Sequence, residues 1–195
     1  MSFLPQVGYA AAALAFALLT LLAATIWRAR YDGPALLFAT VSTSIWCGLL
    51  AHASATGLVS PLPTFVAELV VDIAWLNFVG SLFRGALAGR SFLAFRYGGV
   101  AIALGVLATG LFVSLSPGMV SLNVSSVMVA GSILTAISGL ALLEQVLRNG
   151  RVSQRRDLRH LVLGLASLFL VDLLLYSDAV LGGYINALFW DIRGF

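Results

Sequence analysis

The sequence predicts an all-α fold: a polytopic membrane bundle of six transmembrane helices, with the amino terminus on the outer side of the bilayer. Composition is the first reason. Of 195 residues, 61% are hydrophobic and 10% charged, against roughly 45–50% apolar and about 25% charged in a soluble domain. A globule of this size exposes too much surface to hide such a surplus, so lipid must solvate most of the chain; mean hydropathy is +1.02. The second reason is a succession of apolar runs of about 20 residues, the length that spans hydrocarbon. The third is the uneven placement of arginine between those runs.

The first run covers about residues 4–27. It is not a secretory signal, because nothing basic precedes it and Trp27, Arg28 and Arg30 follow it. The second, about 34–56, opens at Pro34, and the third, about 64–83, follows Pro61 and Pro63. The fourth, about 97–116, stops before Pro117; the fifth and sixth cover about 122–147 and 161–182. These prolines mark edges, where a missing N–H costs least. The runs are continuous rather than alternating, which selects helices over barrel strands. Together they are expected to form a single transmembrane helical domain over 1–195.

Ten of the eleven arginines fall in alternate connections. Arg28 and Arg30 follow the first run; Arg84, Arg90 and Arg96 follow the third. Arg148, Arg151, Arg155, Arg156 and Arg159 separate the fifth from the sixth. The other connections, 57–63 and 117–121, carry none, and only Arg193 lies on their side. Cytoplasmic loops concentrate basic residues, so the arginine-bearing connections are placed inside and the amino terminus outside. Tyr184, Phe189 and Trp190 suit an interfacial aromatic belt on that outer side. An even helix count leaves the carboxyl end outside too. A cytoplasmic output domain would need a further crossing, and the sequence reads as truncated before one.

Several chemistries are excluded by residue type. There is no lysine, hence no Schiff base and no retinal pigment. Cys47 is the single cysteine, cannot form an internal disulfide, and reads as a small buried apolar residue. His52 and His160 are expected near opposite faces, which leaves no haem or metal site. The basic balance reads as topology and membrane-surface contact, with Arg155, Arg156 and Arg159 meeting anionic head groups; no nucleic acid is expected. The signatures of intramembrane aspartyl proteases, serine hydrolases, zinc proteases and phosphate-binding loops are missing, so no catalytic site and no cofactor are expected in this chain. Glu144 and Arg148, spaced i, i+4, read as a local ion pair.

Small residues recur at helical spacing: Ala101, Gly105 and Thr109 in the fourth run, and Gly131, Thr135 and Gly139 in the fifth. Such stripes let helix backbones approach closely in lipid. Packing within the bundle is the simpler reading and a dimer face the alternative.

Ionisable groups inside spanning helices are costly and face bundle interiors or wet cavities. Glu68 and Asp72 in the third run are spaced i, i+4, and Trp75 continues their stripe. The sixth run carries Asp172, Tyr176 and Asp178, and the second carries His52. Counting about 1.5 Å per residue, Asp72 and Asp172 fall near the midplane, with Glu68, Asp178 and His52 closer to the outer face. No arginine lies at that depth. The carboxyls must be protonated, hydrated, hydrogen-bonded or cation-bound. An acidic, outward-opening signal pocket built from His52, Glu68, Asp72, Trp75, Asp172, Tyr176 and Asp178 is expected. The alternative, in which the acids only glue the bundle, stays open.

Certain strings carry a family resemblance. They are Leu142-Leu143-Glu144-Gln145 with Arg148-Asn149, Leu175-Tyr176-Ser177-Asp178-Ala179, Leu188-Phe189-Trp190 and Arg193-Gly194. The stretch from Glu68 to Phe78, with Ala74-Trp75, is similar too. Together these resemble the membrane-embedded amino-terminal region of sensor histidine kinases of the exosortase (PEP-CTERM) system in Gram-negative bacteria. The resemblance implies a transmembrane input module of two-component signal transduction. It would be a multi-pass homodimer in the inner membrane, passing an envelope or membrane signal to a cytoplasmic kinase and on to a response regulator. The family's GAF-like, phosphoacceptor and ATP-binding parts are not in this chain, so ATP and Mg are expected only for a kinase domain that follows. Neither His52 nor His160 matches the phosphoacceptor motif. Two rivals remain: a small proton- or cation-coupled transporter or permease subunit, and a structural scaffold of envelope export machinery.

Overall fold

A computed structural model describes residues 3–26, 33–57, 61–82, 90–115, 124–149, 152–183 and 190. They form six α-helices: α1 (Phe3–Ile26), α2 (Gly33–Thr56), α3 (Pro61–Ser81), α4 (Arg90–Leu115), α5 (Val124–Asn149) and α6 (Val152–Gly182). There is no strand among the described residues. Each helix lies on one of the apolar runs, so the all-α reading holds. Five contain a stretch long and apolar enough to cross a membrane: Pro5–Ile26, Gly33–Thr56, Pro63–Ser81, Met128–Arg148 and Arg159–Gly182. In α4 the side chains described run from Tyr97 to Phe112, and this stretch too is apolar.

Two helices begin well ahead of their apolar runs, α4 at Arg90 rather than 97 and α6 at Val152 rather than 161. Apolar length marks what must lie in hydrocarbon, whereas the backbone ladder continues through good polar helix formers such as Arg and Gln. Arg155, Arg156 and Arg159 therefore lie on the opening turns of α6, and Arg90 and Arg96 on α4, rather than in irregular connections. Arg28, Arg30, Arg84, Arg151 and Arg193, with Tyr184 and Phe189, lie outside the described residues. At two helix ends the stop is the same. Gly57 (φ 69°) and Gly183 (φ 74°) turn left-handed, and their N–H groups close onto the carbonyls of Ala53 (2.9 Å) and Ala179 (3.0 Å). A residue with a Cβ is strained in that conformation, so glycine ends these helices.

The chain divides into two compact units, residues 1–78 with 186–195, and residues 79–185. In the first, α1 lies along α2. Three contacts set an antiparallel register. Tyr9 meets Trp46 edge-on at 6.3 Å, Ser44 Oγ donates to the Ala13 carbonyl at 2.9 Å, and Thr20 Oγ1 lies 2.9 Å from Thr40 Oγ1. The surface is reversed relative to a soluble protein. Leu14 and Leu18 of α1 are both 67% exposed, and Phe38, Val41, Ile45 and Leu49 form the outer stripe of α2. Thr40, Ser42 and Thr43 are buried. Aliphatic groups outside and hydroxyls inside suit a solvent of acyl chains, in which polar groups gain by turning toward one another. This is the arrangement of a membrane protein.

In the second unit α5 packs against both α4 and α6. The small-residue stripe of α5 makes this possible: a Cβ on Gly131 would lie 1.9 Å from Val106 of α4, and one on Gly139 would lie 2.8 Å from the ring of Phe169 of α6. Thr135 is buried between them and bonds back to the Gly131 carbonyl at 2.9 Å. The α4 stripe behaves differently. Ala101 and Gly105 are exposed, and a Cβ on Gly105 would meet nothing within 4 Å. Helix α4 is buried through Ala103 and Val106 instead.

Candidate functional site

Glu68, Asp72 and Trp75 are spaced i, i+4 and i+7 on α3, which places them within about 60° of one direction around the helix. All three are buried, Glu68 at 3% and Asp72 at 6% exposure. Trp75 fixes where that direction points. Its Nε1–H donates to Thr43 Oγ1 of α2 at 3.0 Å, and its ring meets Phe16 of α1 edge-on at 6.4 Å. The acid-bearing face of α3 is therefore directed at the α1–α2 pair. A second edge-on contact, to Phe78 at 5.7 Å, steadies the indole from its own helix.

Along α3, Asp72 lies about 4.5 Å and Glu68 about 10.5 Å from Trp75, at 1.5 Å per residue. The same direction along α2, from Thr43, passes the buried Trp46, Cys47 and Leu50. Along α1, from Phe16, it reaches the buried Tyr9. Tyr9 donates its hydroxyl to the Trp190 carbonyl at 2.6 Å. Among its described residues the first unit thus buries two carboxyls, two indoles, a phenol and a thiol, with the Trp75–Thr43 junction at one end of the set. Among its described residues there is no lysine or arginine. Its described base, His52, is exposed beside the buried Ala53. Helix rotation turns it off the buried face, so it does not join the acids.

In the second unit Asp172 and Tyr176, spaced i, i+4, share the buried face of α6 with Phe169. Asp172 is 3% exposed, and its Oδ1 has no contact with solvent. Asp178 is partly exposed and sits about 240° around the helix from Asp172, away from that pair. Each unit thus gathers its own buried set, Glu68–Asp72–Trp75 in one and Asp172–Tyr176 in the other. Glu144 and Arg148 form the expected ion pair, 3.3 Å apart and 66% and 76% exposed; at that exposure it contributes little. Among the described residues no three of His, Cys, Asp and Glu gather in a way that could hold a metal.

Two features escaped the sequence reading. Tyr9 was one apolar-run residue among many, and only the fold brings Trp190 to it. The hydroxyls of α2 did leave a signal, four of them (Thr40, Ser42, Thr43, Ser44) in five consecutive positions of an otherwise apolar helix.

Fold and site together define a class: an all-helical membrane protein whose buried acids, indoles and hydroxyls face inward from lipid-facing helices. No protein family, curated protein or solved structure matches the chain.

Proposed function

We propose that the chain is the transmembrane input module of a bacterial sensor histidine kinase, set in the inner membrane with its amino terminus outside and acting as a homodimer. The observation that carries the reading is the buried Glu68–Asp72–Trp75 face of α3, directed at α1 and α2 with no lysine or arginine among the unit's described residues. Carboxyls buried at membrane depth are expensive to keep unless they serve a purpose. A bundle that buries two such sets can respond to a change in their hydration, protonation or ligation by shifting helices. The arginine distribution supports the orientation, and the strings around Glu144, Tyr176 and Trp190 support the family. A kinase and a response regulator would act on the cytoplasmic side.

The test is ATP-dependent autophosphorylation of the native gene product in proteoliposomes, comparing wild type with Asp72→Leu and Asp172→Leu. The reading expects phosphoryl transfer whose level changes in both variants. Absence of phosphoryl transfer, or equal levels in all three, overturns it. The transporter reading has less support, because the six described helices run unbroken where many transporters interrupt theirs; proton- or cation-driven flux in the same liposomes would favour it.

A further inference from the structure

We propose that the hydroxyl-bearing turn Thr40–Ser44 is a built-in flexural joint of α2, gripped from both sides by α1 and α3. The joint stands on local geometry and does not depend on the kinase reading. Thr40 Oγ1 lies 3.1 Å from the Leu36 carbonyl and 3.2 Å from that of Leu37. Ser42 Oγ donates to the Phe38 carbonyl, and Thr43 Oγ1 to that of Ala39 at 2.8 Å. In an α-helix the carbonyls of Leu36, Phe38 and Ala39 are also the acceptors for the N–H groups of Thr40, Ser42 and Thr43. Three hydroxyls thus compete with three backbone donors inside about one turn. Such back-bonding loosens and bends a helix.

The neighbouring helices hold the same turn. Thr20 Oγ1 of α1 lies 2.8 Å from the Phe16 carbonyl and 2.9 Å from Thr40 Oγ1. It owns one proton, so it satisfies its own helix or crosses to α2, not both at once. Ser44 crosses to the Ala13 carbonyl. From α3, the Trp75 indole can only donate, so it needs the Thr43 oxygen at 3.0 Å. The outer flank of the turn is Val41 and Ile45, both exposed, so among the described residues no packed side chain opposes bending there. A displacement of α3 drawing on Trp75 pulls Thr43, and a proton turned from Phe16 to Thr40 alters the same turn from α1. The single Thr20 proton thus has two acceptors within reach at one level of α2, and its choice changes the hydrogen bonding of that turn.

Backbone amide exchange of the whole chain in lipid nanodiscs tests this, read by nuclear magnetic resonance. In the wild type, amides 40–46 should exchange about threefold or more faster than amides 47–53 of the same helix, the signature of local opening. Thr40→Val with Ser42→Ala removes two competitors and leaves the Thr43 oxygen to the Trp75 indole; it should slow amides 40–46 by about the same factor and leave 47–53 unchanged. Equal rates in the two segments of the wild type, or no slowing in the variant, overturns the joint. Should the double variant not fold, Ser42→Ala removes a competitor whose bond lies within α2. Slower exchange at position 42 then supports the joint, and unchanged exchange overturns it.

Discussion

A Cβ placed on Gly131 would fall 1.9 Å from Cγ2 of Val106 and 3.2 Å from its Cβ, so α4 and α5 touch where one of them has no side chain. Val106 is β-branched, with little freedom to swing aside. Gly131→Ala should therefore lower stability by about 1–3 kcal/mol in a reversible detergent-unfolding titration. Adding Val106→Ala should recover most of that loss. Gly105→Ala, whose new methyl meets nothing within 4 Å, should stay within about 0.5 kcal/mol of wild type. If Gly105→Ala costs as much as Gly131→Ala, the packing described for α4 is wrong.

Trp75 and Thr43 should be energetically coupled. A double-mutant cycle with Trp75→Phe and Thr43→Val isolates the indole–hydroxyl bond, which in a membrane protein is worth about 0.6 and at most about 1.7 kcal/mol. Unfolding titrations of the four proteins give the coupling. Strict additivity would mean that the contact positions the indole without stabilising it.

Cys47 is buried on α2, beside Trp46 and one turn from Leu50. A water-soluble maleimide should react with the folded protein at least about a hundredfold more slowly than with the protein unfolded in denaturant. The chain has a single thiol, so mass spectrometry reads the outcome without ambiguity. Rapid labelling of the folded protein would show that water reaches the level at which Asp72 lies.

Tyr9→Phe removes the hydroxyl bonded to the Trp190 carbonyl and leaves the ring against Trp46. The expected loss is about 1 kcal/mol, seen as a fall of about 2–4 °C in the melting temperature of the purified protein. An unchanged melting temperature would indicate that lipid, detergent or water replaces the bond at no cost.

The helices were legible because lipid imposes a length and a polarity that few other environments do. Runs ending at Thr56 and Gly182 became helices ending there, each closed by the glycine that follows. The openings of α4 and α6 were not legible from hydropathy, since Arg90 and Arg155 lie on helix outside any apolar requirement. Glu68, Asp72 and Asp172 were identifiable as buried because hydrocarbon gives a carboxyl no other tolerable place. His52 was misplaced for a related reason: depth alone said nothing about rotation, and it lies on the exposed face. The stripe of Ala101 and Gly105 read like that of Gly131 and Gly139, yet only the second closes a helix contact. Spacing reveals that a face is smooth, and only the neighbours decide whether anything presses on it. Partners distant in the chain, Trp75 with Thr43 and Tyr9 with Trp190, had no local signal at all.

The Tyr9–Trp190 bond also dates an event in the life of the molecule. Its two ends are 181 residues apart, and at about 5–20 residues per second a ribosome needs on the order of 10–40 s to travel between them. Throughout that interval the chain carries a tyrosine whose eventual acceptor has not been synthesised. Water, head groups or the insertion machinery must satisfy that hydroxyl in the meantime. A nascent chain arrested before Trp190 can never acquire the bond. A spectroscopic label responsive to hydrogen bonding at position 9 would therefore distinguish finished from stalled insertion in a living cell.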